Sequence, residues 1–262
     1  MNATRWVLLA IVAAIGAGAV LLWQQSKPEP EAPSEAAPPA PPESHYPLPK
    51  PEAETAVAEP LPQLDGSDAT VRGALEQTFG KAPVESFLVP AEFVRHFVAL
   101  IDSLDRHPVP LQFRPTKHVE GVPATQPEGE LFILALDDAK RYEPWVNAFD
   151  AIDSSKAVEL YVHYYPLLQK AYEDLGYPKA YFNDRAVKII DHLLAAPEID
   201  GRIELIRPKV LYLFADPALE QLSWGQKTLI RMGRANEAKV KAKLKEIRGL
   251  VAANEEKKPA SP

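Results

Sequence analysis

Cysteine is absent from the 262 residues of this chain. Its absence excludes disulfide bonds, cysteine nucleophiles, iron–sulfur clusters and zinc sites that depend on cysteine ligands. A chain without cysteine also folds independently of the redox state of its surroundings, which suits an exported bacterial protein.

The sequence also lacks the common motifs of catalytic and phosphate-binding sites. It has no glycine-rich phosphate loop, no serine in a GxSxG or SxxK context and no HExxH pair of metal ligands. Its net charge is −7, and aromatic and basic residues do not interleave as they do in nucleic-acid-binding proteins. We therefore expect no cofactor, no metal and no nucleic-acid partner, and we favour a protein that is not an enzyme.

An apolar run lies close to the N-terminus. From Val7 to Leu22 there is no charge, polar side chain or proline, and Trp6 and Trp23 flank this run. With its tryptophans the run has the length of a short transmembrane helix, and tryptophan is enriched at membrane surfaces. Arg5 precedes the run, so the positive-inside rule favours a cytoplasmic N-terminus.

A cleavable signal peptide is the alternative, because Ala17-Gly18-Ala19 has the small-x-small form of a cleavage site. The apolar run, however, continues beyond that site through Leu22 and Trp23. We therefore predict that residues 1–25 are an uncleaved, single-pass anchor in a bacterial inner membrane. The rest of the chain would then lie in the periplasm, as part of the cell envelope.

Proline and glutamate dominate residues 26–64, which contain twelve prolines and seven glutamates. Such a segment cannot bury enough apolar surface to fold, so we predict a disordered linker. Residues 65–252 have the length of one well-packed domain, which we call the head, and 253–262 are predicted to be a disordered tail.

The head is predicted to be mainly α-helical with a small β element. Apolar residues recur at helical spacing between Phe93 and Leu104, and again in a segment that Asp153 or Ser154 can cap. Pro166 lies inside this second segment and removes a backbone donor, so the helix must kink or restart there. Two stretches have the composition of strands: 111–113 and 131–136.

Further helix starts are indicated by capping residues. Asn183 is predicted to cap a helix over 184–195. Asp216 followed by Pro217 is typical of an N-cap and a first-turn proline. The run from Ser223 to Gln226 fits a capping box.

Three groups of short motifs resemble a known family. They are Tyr165-Pro166-Leu167-Leu168-Gln169 with Ala171-Tyr172 and Leu175-Gly176-Tyr177; Phe182-Asn183-Asp184 with Ile190-Asp191-His192-Leu193-Leu194; and Ala215-Asp216-Pro217 with Gly225-Gln226-Lys227 and Arg231-Met232-Gly233. Through this set the chain resembles the bacterial family catalogued as domain of unknown function 3014. The anchor and the proline-rich segment also resemble the layout of that family. The resemblance implies no activity and no site residue.

One polar cluster is a candidate for chemistry. Asp184 and Asp191 are seven residues apart and share a helix face, with His192 and Arg185 nearby. A carboxylate that orients an imidazole is typical of acid–base or metal sites, which gives the hypothesis of an envelope hydrolase or lyase. The structural alternative is that Asp184 favours the helix dipole and pairs with Lys188.

Two further polar pairs have a functional and a structural interpretation. Asp216 and Glu220 have the spacing to share a cation, but Asp216 is equally explained as an N-cap. Lys227 and Arg231 are four residues apart, so they form either a cationic edge for an anion or a solvated helix face. The tyrosines from Tyr161 onward form either a core or an aromatic binding face.

The C-terminal helix carries an apolar stripe of Val240, Leu244, Ile247 and Val251 at heptad spacing. Basic residues flank this stripe: Lys239, Lys241, Lys243, Lys245 and Arg248. The stripe either packs on the head's own core or, with Lys227 and Arg231, binds a partner. We expect that partner to be an envelope protein or a negatively charged cell-wall polymer.

Overall fold

The computed structural model describes residues 45–49 and 61–253. The head is mainly helical with a small antiparallel sheet, as predicted. Its α-helices are α1 (Asp68–Phe79), α2 (Lys81–Phe87), α3 (Phe93–Ser103), α4 (Glu143–Asp150), α5 (Ser154–His163), α6 (Tyr165–Asp174), α7 (Phe182–Leu194), α8 (Pro217–Glu220), α9 (Trp224–Arg231) and α10 (Arg234–Val251). Two 3-10 helices, Leu111–Phe113 and Leu136–Arg141, and four strands, β1 (Thr125–Glu128), β2 (Leu131–Leu134), β3 (Glu204–Ile206) and β4 (Leu213–Phe214), complete the described elements.

The four strands form one sheet in the order β1-β2-β3-β4, with every neighbouring pair antiparallel. Leu205 at its centre pairs with Phe132 on one side and Phe214 on the other. The predicted strand at 131–136 is confirmed over Leu131–Leu134. The predicted strand at 111–113 is wrong, because the main chain turns there into a 3-10 helix that leaves Leu111 64% exposed.

Helix starts that depend on local signals are confirmed. The Asp153 carboxylate accepts hydrogen bonds from the main-chain N–H groups of Ser155 and Lys156 at the start of α5. The chain restarts as α6 with Pro166 in the first turn, so the segment divides into two helices. Ser223 Oγ accepts from the Gln226 N–H at the start of α9.

Asn183 is not an N-cap. Helix α7 begins at Phe182, two residues before the predicted start at 184, and Asn183 lies within its first turn with only 1% of its surface exposed. The Asn183 side chain instead bonds groups that are distant in sequence, namely Tyr46 and Val251. The Asn183 amide can be buried within the helix because these groups satisfy its hydrogen bonds.

Two helices organise the interior. Helix α10 packs against α4, α5, α7 and α9, and α3 packs against α1, α6 and α7. The apolar stripe of α10 faces this interior, where Val240 and Leu244 join one core cluster and Ile247 and Val251 join another. Of the two interpretations of the stripe, packing on the head's own core is therefore confirmed.

The N-terminal predictions concern residues that are largely outside the described ranges. The predicted anchor, 1–25, lies outside them, and no helix within 45–49 or 61–253 is long and apolar enough to cross a membrane. The sequence predicts a disordered linker over 26–64, whereas two parts of it contact the head. Leu61 and Leu64 pack on the core, and residues 45–49 lie on α7.

Candidate functional site

The predicted acid–base cluster on α7 does not converge on one site. Asp184 lies 2.9 Å from His45 Nδ1 and accepts a hydrogen bond from the Tyr46 N–H. Asp191 is paired with Arg248, and His192 Nε2 lies 2.8 Å from Ser223 Oγ. The two aspartates are seven positions apart, which separates them by about 10 Å along the helix axis. Each of the three side chains therefore has its own structural partner.

Arg185, the fourth polar residue of that cluster, belongs to an ion network between α7 and the end of α3. Its guanidinium donates to Asp102 Oδ1 over 2.7 Å and to both oxygens of Asp105 over 2.7 Å. Burial alone would raise the pKa of Asp105, but the hydrogen bonds and charge of Arg185 lower it below its ordinary value. This network fastens α7 to α3.

The second polar group, around α8, is also used within the protein. Asp216 caps α8 through the Ala218 N–H, as predicted. Lys227 Nζ donates to Glu220 Oε1 over 2.7 Å, and the Arg231 guanidinium lies 4.6 Å from the centre of the Phe214 ring. Burial lowers the pKa of Arg231. Lys227 and Arg231 therefore do not form a free cationic edge.

The basic flanks of α10 make contacts with neighbouring helices and loops. Lys243 Nζ donates to the Ile152 carbonyl oxygen over 2.9 Å, and Lys239 Nζ donates to Asn147 Oδ1 over 3.1 Å. Lys243 is only 8% exposed. These two lysines tie α10 to the α4–α5 region.

The tyrosines of α5 and α6 belong to the interior. The Tyr161 hydroxyl donates to Asn183 Oδ1 over 3.0 Å, and burial raises the pKa of Tyr161 well above its ordinary value. Tyr172 is 4% exposed, and burial raises its pKa to about 12. The predicted aromatic face around Tyr161–Tyr172 is therefore mostly core.

Tyr161 also lines an apolar cavity of about 380 Å³. Seven helices contribute to its wall: α1, α3, α4, α5, α6, α7 and α10. Every described side chain in the wall is apolar or aromatic, and the tyrosine hydroxyls of Tyr161 and Tyr164 are its sole polar side-chain groups. Leu244 and Ile247, two of the residues predicted to bind a partner, form part of this wall from α10. The cavity is suited to an apolar ligand.

The sequence contains most of the wall residues but not the space between them. Helical spacing identifies Phe93, Phe97 and Ile101 on α3 and Ala157 and Tyr161 on α5 as inward-facing. A stripe of apolar residues has the same pattern whether the opposite helix contacts it or stands away from it. No sequence signal therefore distinguishes this cavity from an ordinary core.

Among the residues that the structure describes, no group of three or more His, Asp or Glu side chains has the arrangement of a metal site.

A family model described as Protein of unknown function (DUF3014) matches residues 93–248, which is more than half of the chain. The chain belongs to the DUF3014 family. This assignment confirms the resemblance carried by the motifs of α6, α7 and α9. No curated protein and no solved structure matches the chain.

The DUF3014 match includes most of the cavity wall. Helices α3 to α7 contribute to the wall from within the matched range, as do Leu244 and Ile247 of α10. The wall residues of α1, together with Val251, lie outside the match, as do residues 45–49. Most of the wall residues therefore belong to the family domain, and the others are contributed by flanking sequence.

Proposed function

We propose that the head of this DUF3014 protein is a non-enzymatic binding domain whose ligand is an acyl chain. The supporting observation is the cavity of about 380 Å³ with no charged side chain in its described wall. Ligand sites in proteins span about 300–1,000 Å³ and are mostly apolar. An engineered apolar cavity of roughly 150 Å³ already binds benzene, so this one has room for a longer hydrocarbon.

The energetic cost of an empty cavity supports a bound ligand. Unfilled apolar space lowers stability, because the side chains around it lose packing contacts. Proteins are stable by only about 5–15 kcal/mol, so such losses matter. A ligand that fills the space would restore packing contacts, since each buried methylene contributes about 0.8 kcal/mol.

The wall also indicates which part of a lipid would enter. Tyr161 in the wall already donates its hydroxyl to Asn183. A charged head group inside would have no counter-charge from the described wall residues and would lose its hydration. The alkyl chain is therefore expected to lie inside and the polar head group at the protein surface.

This proposal gives a concrete form to the predicted envelope role. Residues 1–25, predicted as a single-pass inner-membrane anchor, would place the head in the periplasm beside a source of lipids. The head would bind one envelope component, a lipid or lipidated molecule, through its acyl chain. A protein or cell-wall polymer would then contact the head elsewhere, because Leu244, Ile247 and Lys243 are used internally.

The test is binding of a fluorescent lauric acid analogue to the delipidated head, with mass spectrometry of lipids that co-purify with it. Ala186 lies in the wall on α7, and Ala186→Phe should fill the space. We expect this variant to bind at least about tenfold more weakly, since the ring replaces ligand volume, and to unfold at a higher temperature.

Ala235→Phe is the matched control, because Ala235 is exposed on α10 and is not part of the wall. It should bind the analogue like the unmodified protein. The proposal is overturned if the delipidated head binds no analogue and no lipid co-purifies, or if Ala186→Phe and Ala235→Phe bind equally well.

A further inference from the structure

A short segment of the chain, residues 45–49, lies against the N-terminal end of α7. The Tyr46 N–H donates to Asp184 Oδ1 over 2.8 Å, and the Tyr46 carbonyl oxygen accepts from Asn183 Nδ2 over 2.8 Å. The His45 ring lies 2.9 Å from Asp184 Oδ2 and stacks at a tilt on Tyr181, with ring centres 4.5 Å apart. Two adjacent side chains of α7 therefore hold both main-chain groups of one residue. We call residues 45–49 the strap.

Asn183 connects the strap to the cavity wall. Its Nδ2 donates to the Tyr46 carbonyl oxygen and to the Val251 carbonyl oxygen at the end of α10, the latter over 3.1 Å. Its Oδ1 accepts a hydrogen bond from the Tyr161 hydroxyl group on α5. One buried amide thus joins the strap, α5, α7 and α10. When the strap is released, water must replace the Tyr46 carbonyl oxygen as the acceptor for Asn183 Nδ2, because a buried donor without a partner is costly.

The Tyr46 side chain also covers the cavity wall from outside. It packs against the cluster of Val158, Val187 and Val251, which also contacts Ile247. Val158, Val251 and Ile247 also line the cavity. The strap therefore contacts a cluster of side chains that includes part of the cavity wall from α5 and the end of α10.

We propose that the strap closes the cavity and that its release opens a path through this part of the wall. The inference rests on the proposed function for its biological role, because it concerns how the acyl chain enters and leaves. His45 and Tyr46 provide the contacts that carry the argument, and all five residues of the strap are only partly buried. Short, partly buried segments at a domain surface can open without unfolding the whole domain. In sequence, eleven residues separate Pro49 from Leu61, so an opened strap stays attached.

Release of the strap is measurable without any lipid, because the chain has no native cysteine. Ala186→Cys places a single thiol in the cavity wall. Its rate of reaction with the apolar reagent 4,4′-dithiodipyridine reports how accessible the cavity is. Adding Tyr46→Ala to this variant removes the ring from the wall, and we expect the reaction to become at least tenfold faster.

A second thiol tests whether Tyr46→Ala merely loosens the whole head. Leu205 is 1% exposed in the sheet, within a different core cluster. In Leu205→Cys the reaction rate should be the same with and without Tyr46→Ala. Equal acceleration at Ala186→Cys and Leu205→Cys would overturn the proposal, because it would indicate general destabilisation. An unchanged rate at Ala186→Cys would overturn it as well.

These outcomes are independent of the acyl-chain proposal. If Tyr46→Ala opens the Ala186→Cys site while the head binds no lauric acid analogue, the strap still closes the cavity and the proposed ligand is wrong. If the analogue binds and the thiol rate does not change, the ligand stands and the strap is a fixed part of the fold. If both hold, Tyr46→Ala should speed association and dissociation of the analogue by similar factors.

Discussion

Gly225 at the start of α9 lies directly against Leu104 at the end of α3. Its N–H donates to the Leu104 carbonyl oxygen over 2.9 Å, and a Cβ added to Gly225 would lie 2.7 Å from that same oxygen and 2.6 Å from Leu193 Cδ2. Real Cβ atoms do not approach backbone atoms so closely. The absence of a side chain at this one position therefore lets α9 contact both α3 and α7.

Gly225→Ala is expected to lower the free energy of unfolding by about 1–3 kcal/mol, the usual cost of overpacking a well-filled contact. Chemical denaturation in urea measures this change. Gly249→Ala is the matched control, because nothing lies within 4 Å of a Cβ at this exposed helical position. That control should raise stability by about 0.5–1 kcal/mol, since alanine favours helices. Equal effects of the two substitutions would contradict the close packing at Gly225.

The ion network of Arg185 is expected to make the head sensitive to acid. The pKa of Asp105 is lower in the folded head than its ordinary value near 3.8. A carboxyl with a lowered folded pKa stabilises the protein above its unfolded pKa, and this contribution disappears as the pH falls through the folded pKa. Urea denaturation between pH 6 and about pH 3 should therefore show a loss of stability that is smaller in Asp105→Asn. An identical pH dependence in this variant would exclude the effect.

Asp102 and Asp191 provide a contrast between a buried and an exposed ion pair. The Asp102 side chain is 11% exposed and contacts Arg185, whereas Asp191 is 43% exposed and contacts Arg248. Asp102→Ala should lower the free energy of unfolding by about 3–5 kcal/mol, because it leaves a buried guanidinium short of one partner. Asp191→Ala should cost less than about 1 kcal/mol. Thermal melting of both variants measures which one loses more stability. A larger loss of stability in Asp191→Ala than in Asp102→Ala would refute the prediction.

Introducing charge into the apolar stripe of α10 tests whether the stripe is part of the core. Changing Leu244 and Ile247 together to Asp should unfold the head, because each buried carboxylate costs several kcal/mol against a total of roughly 5–15 kcal/mol. Circular dichroism and size-exclusion chromatography measure the loss. Lys245→Asp alters the charge at an exposed position of the same helix and should leave the head folded. A folded double variant that has lost a partner would instead restore the stripe as an interface.

Features that depend on neighbouring residues could be predicted from the sequence. Asp153 and Ser223 cap their helices, and an N-cap bonds main-chain groups within three residues of itself. A new helix starts with Pro166 in its first turn, because proline itself lacks the main-chain N–H that a continuous helix needs. The role of Asn183 could not be predicted from neighbouring residues. Its amide bonds Tyr46 and Val251, which are 137 and 68 residues away in sequence, so a side chain with the composition of a cap became a buried junction.

The sheet and the site depend on distant contacts, and for that reason they were predicted poorly. Strand β4 has two residues, Leu213 and Phe214, and is fixed by β3 rather than by its own pattern. Asp184, Asp191 and His192 share a helix and a polar character, but their partners come from the strap, α10 and the start of α9. Three nearby polar residues in the sequence thus became three unrelated contacts.

The strap also sets the length of the tether between the predicted anchor and the head. With residues 45–49 held on α7, only 26–44 remain between the two, which at about 3.1 Å per residue reach at most about 60 Å. With the strap released, 26–60 become available and the limit rises to about 110 Å. If the predicted anchor holds residues 1–25 in a membrane, release of the strap would nearly double the length of chain available between that anchor and the head. Access to the cavity and the length of this tether would then both depend on the contacts of one segment, residues 45–49.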